Sequence, residues 1–123
     1  MINTAIICLG SNTPDREMRI DNSCKKMADK AEIKRHSKII ISEDITGHGA
    51  SYINQSIEIT TNLTLAELRT FIHEIEQSEG RTPKSKAKGQ MPIDIDIVIW
   101  NNEIISSENY TQPYFQALLT TLR

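Results

Sequence analysis

The chain has no apolar run of the roughly 18 residues that a membrane-spanning helix requires. Met1 is followed at once by a short strand-like run rather than by a secretory leader. Both absences point to the cytoplasm and away from a membrane partner. Cysteine is scarce: Cys8 lies in an apolar run, and Cys24 falls on the apolar side of an expected helix. In that compartment the pair reads as reduced core thiols rather than a disulfide. Aromatic residues make up 5% of the chain, and its formal net charge is −2. There is no stacking platform of the kind that sheets use for RNA, and no positive excess to draw nucleic acid. Neither G-x-x-x-x-G-K-[ST] nor G-x-G-x-x-G occurs, which removes the P-loop and Rossmann solutions for phosphate. No repeat, low-complexity tract or linker interrupts the sequence, so residues 1–123 are expected to form one domain with its own core.

What is there centres on Met91-Pro92-Ile93-Asp94-Ile95-Asp96-Ile97-Val98-Ile99-Trp100. Isoleucine at 93, 95, 97 and 99 has the period of a β-strand with one apolar face. Asp94, Asp96, Val98 and Trp100 fall on the opposite face, and the last two predict burial on both sides toward the strand's end. Two residues along a strand span about 6–7 Å, so the two carboxylates converge. Aspartate is a poor strand former, and two unpaired carboxylates beside a core strand repel each other. A cation between them would relieve that conflict. The alternative is a frayed strand end with both aspartates solvated.

Ahead of this strand, Ala5-Ile6-Ile7-Cys8-Leu9 is a short apolar run closed by Gly10-Ser11-Asn12, the pattern of a buried strand ending in a turn. Thr13-Pro14 looks like an N-cap with proline at the first helical position. Ile20, Cys24, Met27 and Ala31 then share one helical face. Residues 33–41 predict one strand. The polar stretch 42–50 carries His48 between two glycines, a candidate ligand or base, although a lone loop histidine is as a rule solvated. Residues 52–60 alternate, with Ile53, Ile57 and Ile59 on one face and Asn54, Ser56 and Glu58 on the other. Thr64-Leu65-Ala66-Glu67 is a capping box. It opens a helix that turns Leu65, Leu68, Phe71, Ile72 and Ile75 inward and stops at Gly80.

Glu76, in the last turn of that helix, opposes the helix dipole and calls for a cationic or ligand partner; Arg81 is close by. Residues 81–89 hold Arg81, Lys84, Lys86 and Lys88 and no acid. With neither helical nor strand period, the stretch is expected to be a mobile positive loop. Beside a two-carboxylate strand it suggests phosphate binding. After Trp100, Asn101-Asn102 predicts a turn, Glu103-Ile104-Ile105 a short return strand, and Ala117-Leu118-Leu119 a short helical end. The order is β-α-β-β-α-β with a late β-hairpin. That is an α+β, ferredoxin-like arrangement: an antiparallel-rich sheet with two helices on one face.

The elements Leu9-Gly10-Ser11-Asn12, Tyr52-Ile53-Asn54, Glu76 four residues before Gly80-Arg81, and Ile93-Asp94-Ile95-Asp96-Ile97 carry a resemblance. From Leu9 to Pro113 the chain resembles the 6-hydroxymethyl-7,8-dihydropterin pyrophosphokinases of the folate pathway. The resemblance implies transfer of the β,γ-diphosphoryl group of ATP to the hydroxymethyl oxygen of the pterin, releasing AMP. It implies two Mg²⁺ ions held by Asp94, Asp96 and ATP oxygens, with Arg81 and Lys84 on the phosphates. It implies Asn54 and Tyr52 at the pterin, Glu76 in the nucleotide or loop contact zone, and Thr111 at the nucleotide end. Hard oxygen ligands suit Mg²⁺, and such catalysis is mostly positioning and electrostatics.

The departures from the family pattern are specific. Ala87-Lys88-Gly89-Gln90-Met91 stands where the family reads Arg-Trp-Gly-Pro-Arg, so Met91 takes the place of a phosphate-binding arginine. Pro113-Tyr114-Phe115 stands for Pro-His-Tyr, and the Arg-x-Phe whose Phe stacks on the pterin has no clear counterpart around 118–122. These departures leave two other readings open. One is a relative that binds Mg–nucleotide without turning over a pterin; the other is a ferredoxin-like binding module, for instance for RNA. Retention of both aspartates favours an Mg–nucleotide protein over the module. Oligomeric state is not legible in the sequence.

Overall fold

The apolar run near the N-terminus becomes the central strand of the sheet. The computed structural model describes residues 1–43 and 49–123, apart from the side chain of Lys86, so the candidate His48 lies outside the described residues. Strand β1 (Asn3–Ser11) pairs on one side with β4 (Tyr52–Thr61) and on the other with β5 (Asp94–Trp100). Strands β2 (Glu32–His36) and β3 (Ile40–Ser42) both pair with β4, and β6 (Glu103–Ile104) pairs with β5. The order is β2-β4-β1-β5-β6, and every pairing is antiparallel.

Period-two alternation along β1 supplies both faces of this sheet. Ala5, Ile7 and Leu9 join Ile53, Ile57, Ile59 and Ile95 under helices α1 (Arg16–Met27) and α2 (Leu65–Ser78), whose Ile20, Met27, Leu68 and Phe71 close the first core. The capping box forms as expected, with the Thr64 side chain accepting from the Glu67 N–H and the Glu67 carboxylate accepting from the Thr64 N–H. The other face is covered too, which the expectation of two helices on one face did not include. There Cys8 and Val98 meet Phe115 and Leu118 of a C-terminal helix (Pro113–Thr120) in a second core, with Tyr110 of a one-turn helix (Ser107–Tyr110) packed against it. Both cysteines are free, and Cys8 is buried in that second core. Among the described residues no helix is long and apolar enough to cross a membrane.

Three local expectations change. The strand expected over 33–41 is split. Ser37 leaves the ladder, its N–H donating to the Ser56 carbonyl (2.9 Å) while its Oγ accepts from the Ser56 N–H (2.9 Å), so β2 and β3 are separate. Helix α1 starts at Arg16 with Asp15 at its N-cap; Thr13 is not the cap, because its hydroxyl donates to Asp15 at 2.7 Å. Third, the register slips between Ile6 and Ile7: Ile7 faces Ile97, but Ile6 faces Ile99. Val98 is the extra residue, a β-bulge that shifts the side-chain phase by one. Ile93, Ile95 and Ile97 therefore sit in the first core, Ile99 packs against the second, and Trp100 returns to the first. The chain then reverses through Asn101 and Asn102 (φ 48° and 69°), a two-residue turn that needs positive φ at both positions.

Candidate active site

Pairing with β1 fixes where the aspartates point. Asp96 lies opposite Cys8 and Asp94 opposite Gly10, both on the face away from α1 and α2. They line a cavity of about 340 Å³ together with Tyr52, Asn54, Gln112 and Tyr114. Asn54 is buried; its Nδ2 donates to the Ile40 carbonyl (3.2 Å) and to Ser42 Oγ (2.8 Å). That leaves Oδ1 turned toward β1, where a Cβ on Gly10 would come within 3.0 Å of it. Glycine at 10 therefore makes room for the clamped Asn54. Gly10→Ala is expected to lower stability by about 1–3 kcal/mol, read as a drop in the thermal unfolding midpoint. An unchanged midpoint would mean that Asn54 gives way freely and is not held as described.

The Asp94–Asp96 pair is electrostatically unsatisfied. Burial, and then the neighbouring Asp94 carboxylate, push the Asp96 carboxyl up to about 8; Arg81 offsets only part of this. An anion held so unfavourably is what a bound cation would relieve. No group of three or more His, Cys, Asp or Glu suited to a metal ion occurs among the described residues. A metal held by Asp94 and Asp96 would leave positions in its shell for water and a ligand's oxygens. Mg²⁺ fits that description: it binds through one or two carboxylates and keeps the rest of its octahedron for water and phosphate.

Arg81 reaches this pair because of how α2 ends. Gly80 takes φ +93°. The Gly80 N–H donates to the Gln77 carbonyl and the Arg81 N–H to the Glu76 carbonyl, both at 3.1 Å. These two bonds are a Schellman turn. It folds Arg81 back over the helix, where its Nη1 donates to Glu76 (2.5 Å) and to Asp94 (3.1 Å). Glu76 accepts a further bond from the Ile95 N–H at 3.0 Å, and burial raises its carboxyl. Glu76 does not line the first cavity. It lines a second one, about 320 Å³, with Arg69, His73, Ile97 and Ser106, and Asp96 borders both.

The cationic stretch is not the structureless loop expected. It contains a short helix, α3 (Pro83–Ala87). Thr82 caps it: the Ser85 N–H donates to Thr82 Oγ1 (3.1 Å) and the Thr82 N–H to Ser85 Oγ (3.0 Å), with proline in the first turn. Asn12 then ties the end of the stretch to β1. Its Oδ1 accepts from the Met91 N–H (2.6 Å), its N–H donates to the Met91 carbonyl (3.1 Å), and its Nδ2 donates to the carbonyls of Gly89 (3.0 Å) and Ala50 (3.4 Å).

The structure thus brings Tyr52, Asn54, Asp94 and Asp96 to one cavity, with Arg81 and Glu76 linked to it through Asp94. Lys84 is exposed on α3 and lines neither cavity. Thr111 also stays out; its hydroxyl turns back to the carbonyls of Ser107 (3.1 Å) and Glu108 (3.3 Å). Gln112 and Tyr114 face the cavity instead. The sequence reading missed Asn12 as a clasp, and Arg69 and His73 as cavity walls. For Arg69 and His73 the available signal was their spacing with Glu76 along α2, four residues and then three.

A family model described as 7,8-dihydro-6-hydroxymethylpterin-pyrophosphokinase (HPPK) matches residues 6–121. The 2-amino-4-hydroxy-6-hydroxymethyldihydropteridine pyrophosphokinase of Bacillus subtilis is 32% identical over 117 residues, spanning 93% of this chain and 70% of that protein. The bifunctional protein FolKE of Lactococcus lactis subsp. cremoris is 30% identical over 125 residues, spanning 94% of this chain and 34% of that protein. A crystal structure of an HPPK-DHPS in complex with substrates is similar in fold, with a TM-score of 0.56 at 18% identity over 83% of this chain and 28% of that one.

Proposed function

The chain belongs to the 7,8-dihydro-6-hydroxymethylpterin-pyrophosphokinase family, and on that premise we propose that it transfers diphosphate from ATP to the hydroxymethyl group of 6-hydroxymethyl-7,8-dihydropterin in folate biosynthesis. It is an ATP-dependent diphosphotransferase. The hydroxymethyl oxygen bonds to the β-phosphorus, the bond from that phosphorus to the α,β-bridging oxygen breaks, AMP leaves with that oxygen, and the hydroxyl proton passes to water. We read the sheet order as ferredoxin-like, residues 1–123 as one domain, and the site of action as the cytoplasm.

The observation that carries this reading is the junction at Asp96. A two-substrate transfer needs two compartments meeting where the transferred group passes, and Asp96 borders both cavities. The pterin takes the cavity of Tyr52 and Asn54, where Asn54, its two Nδ2 hydrogens spent on Ile40 and Ser42, offers only the acceptor Oδ1 to a donor on the heterocycle. ATP takes the cavity of His73, Glu76 and Ile97. Asp94 and Asp96 hold Mg²⁺, two ions with ATP in the family's manner. Bound there, Mg²⁺ supplies neutralisation of the phosphate oxygens. Arg81 bonds Glu76 and Asp94 through Nη1 alone, which leaves the rest of its five-donor fork for phosphate. Lys84 adds charge once α3 approaches. Thr111, with its hydroxyl spent on backbone, keeps at most a packing role at the nucleotide end. Retention of Mg–nucleotide binding without pterin turnover is the less favoured reading, since Tyr52 and Asn54 still wall a cavity beside the aspartates.

A coupled assay for AMP release with ATP, Mg²⁺ and the hydroxymethyl dihydropterin tests this. Release that depends on the pterin is expected; release without it, or none at all, would reject the assignment. Nucleotide is also expected to slow amide exchange across 81–89. Helix α3 has only five residues, too few to be stable alone, and its like charges repel until phosphate arrives. Equal exchange with and without saturating Mg–ATP analogue would count against a phosphate role for this stretch.

A further inference from the structure

Next to Arg81, on the other side of Gly80, a carboxylate is buried that the reaction does not use. Glu79 is 3% exposed. It is the C-cap of α2, and its side chain turns away from the reaction centre toward α1. There it bonds Lys26 Nζ and lies 3.5 Å from Arg19 Nη1, which also donates to the Glu79 carbonyl at 2.8 Å. Lys26 donates in addition to Ser78 Oγ at 2.8 Å, and Asp15 holds Arg19 at 3.1 Å. The last turn of α2 contains no basic residue, so among the described residues this acid at a helix C-terminus is matched from α1. A buried ion pair is a costly way to gain stability, and an apolar contact would serve as well or better. What it does provide is a fixed geometry.

That geometry is passed to Arg81. Glu79 and Arg81 flank a single glycine in the left-handed region, with nothing within 4 Å of where a Gly80 Cβ would be. The two backbone bonds of Gly80 and Arg81 close the turn across this glycine, whose own backbone is permissive. The clamp from α1 holds one side of this hinge, and the Glu76–Asp94 contacts of Arg81 hold the other. We infer that Glu79, gripped by Arg19 and Lys26, is a positioning residue that sets the guanidinium of Arg81 for the ATP phosphates. The inference rests on the phosphate role of Arg81 proposed above.

The test is a double-variant cycle read as affinity for a non-hydrolysable ATP analogue with Mg²⁺, in wild type, Glu79→Gln, Arg81→Ala and the combined variant. Glu79→Gln is expected to weaken binding about five- to tenfold, Arg81→Ala at least as much, and the combined variant no more than Arg81→Ala alone. Lys26→Met leaves Arg19 on Glu79, gives a smaller loss in the same direction, and replaces Glu79→Gln in the cycle if that variant does not fold. A Glu79→Gln loss that persists in full on the Arg81→Ala background would overturn the inference and leave the phosphate role of Arg81 standing. Wild-type affinity in Glu79→Gln would overturn it too. Wild-type affinity in Arg81→Ala would remove the phosphate role and the inference with it.

Discussion

In Asp96→Asn, Mg²⁺-dependent binding of an ATP analogue is expected to fall by about a hundredfold or more, with AMP release lost, while the metal-free protein unfolds at the same temperature or higher. The first effect follows from the ligand set. With Asp94 and Asp96 as the two proposed metal ligands, an amide in place of one removes half of that ligand charge, and even outer-shell losses cost a metal site 10- to 100-fold. The second follows from burial. The Asp96 carboxyl is raised from 3.8 to about 8 in the fold. The unfolded chain therefore ionises it more readily, and stability from this group falls as pH rises from about 4 to about 8. Asparagine cannot ionise, so the metal-free variant gains over wild type across that window and most above it. The two measurements are isothermal titration with the analogue and thermal unfolding at pH 6 and 8.5 without metal. Retained Mg²⁺ dependence, or a variant that loses stability relative to wild type as pH rises, would defeat this account.

That prediction rests on a feature legible in the sequence. Period two put Asp94 and Asp96 on one strand face, and β5 pairs with β1 so that both reach the cavity. The capping box of α2 and the partnership of Glu76 with Arg81 were legible for a similar reason: each is local, set within five residues by helix geometry. What the sequence hid is non-local. The bulge at Val98 exists because β1 and β5 slip against each other between Ile6 and Ile7. Nothing in the isoleucine series announces that slip, so Ile99 and Trp100 were assigned to the wrong faces. Asn12 sits one residue past β1 and does its work on residues nearly eighty positions away. Ser37 breaks a strand only because Ser56 is opposite. A helical end around Ala117-Leu118-Leu119 was legible, but not its start at Pro113 or its seat, through Phe115 and Leu118, on Cys8 and Val98 across the sheet.

Met91→Arg is expected to raise the rate of pterin-dependent AMP release by about 10- to 150-fold. The chain has methionine where its family resemblance calls for an arginine on phosphate, and lysines nearby supply only point charges in place of a planar fork. Residue 91 precedes the start of β5 at Asp94, so its direction is set by the Asn12 clasp and not by the pleat. Asn12 grips the backbone of residue 91 from both sides, at its N–H (2.6 Å) and its carbonyl (3.1 Å). The side chain can therefore be exchanged without releasing the loop. One charge-assisted contact to phosphate contributes roughly 1.5–3 kcal/mol, which gives the expected range if it is made in the transition state. A gain confined to KM for ATP, with kcat unchanged, would place the new contact in the ground state as well. Unchanged or lower activity in a folded Met91→Arg protein would reject the missing guanidinium as the limiting loss. The remaining suspect would then be the wall of the cavity at Tyr114, since Phe115 beside it is committed to the second core.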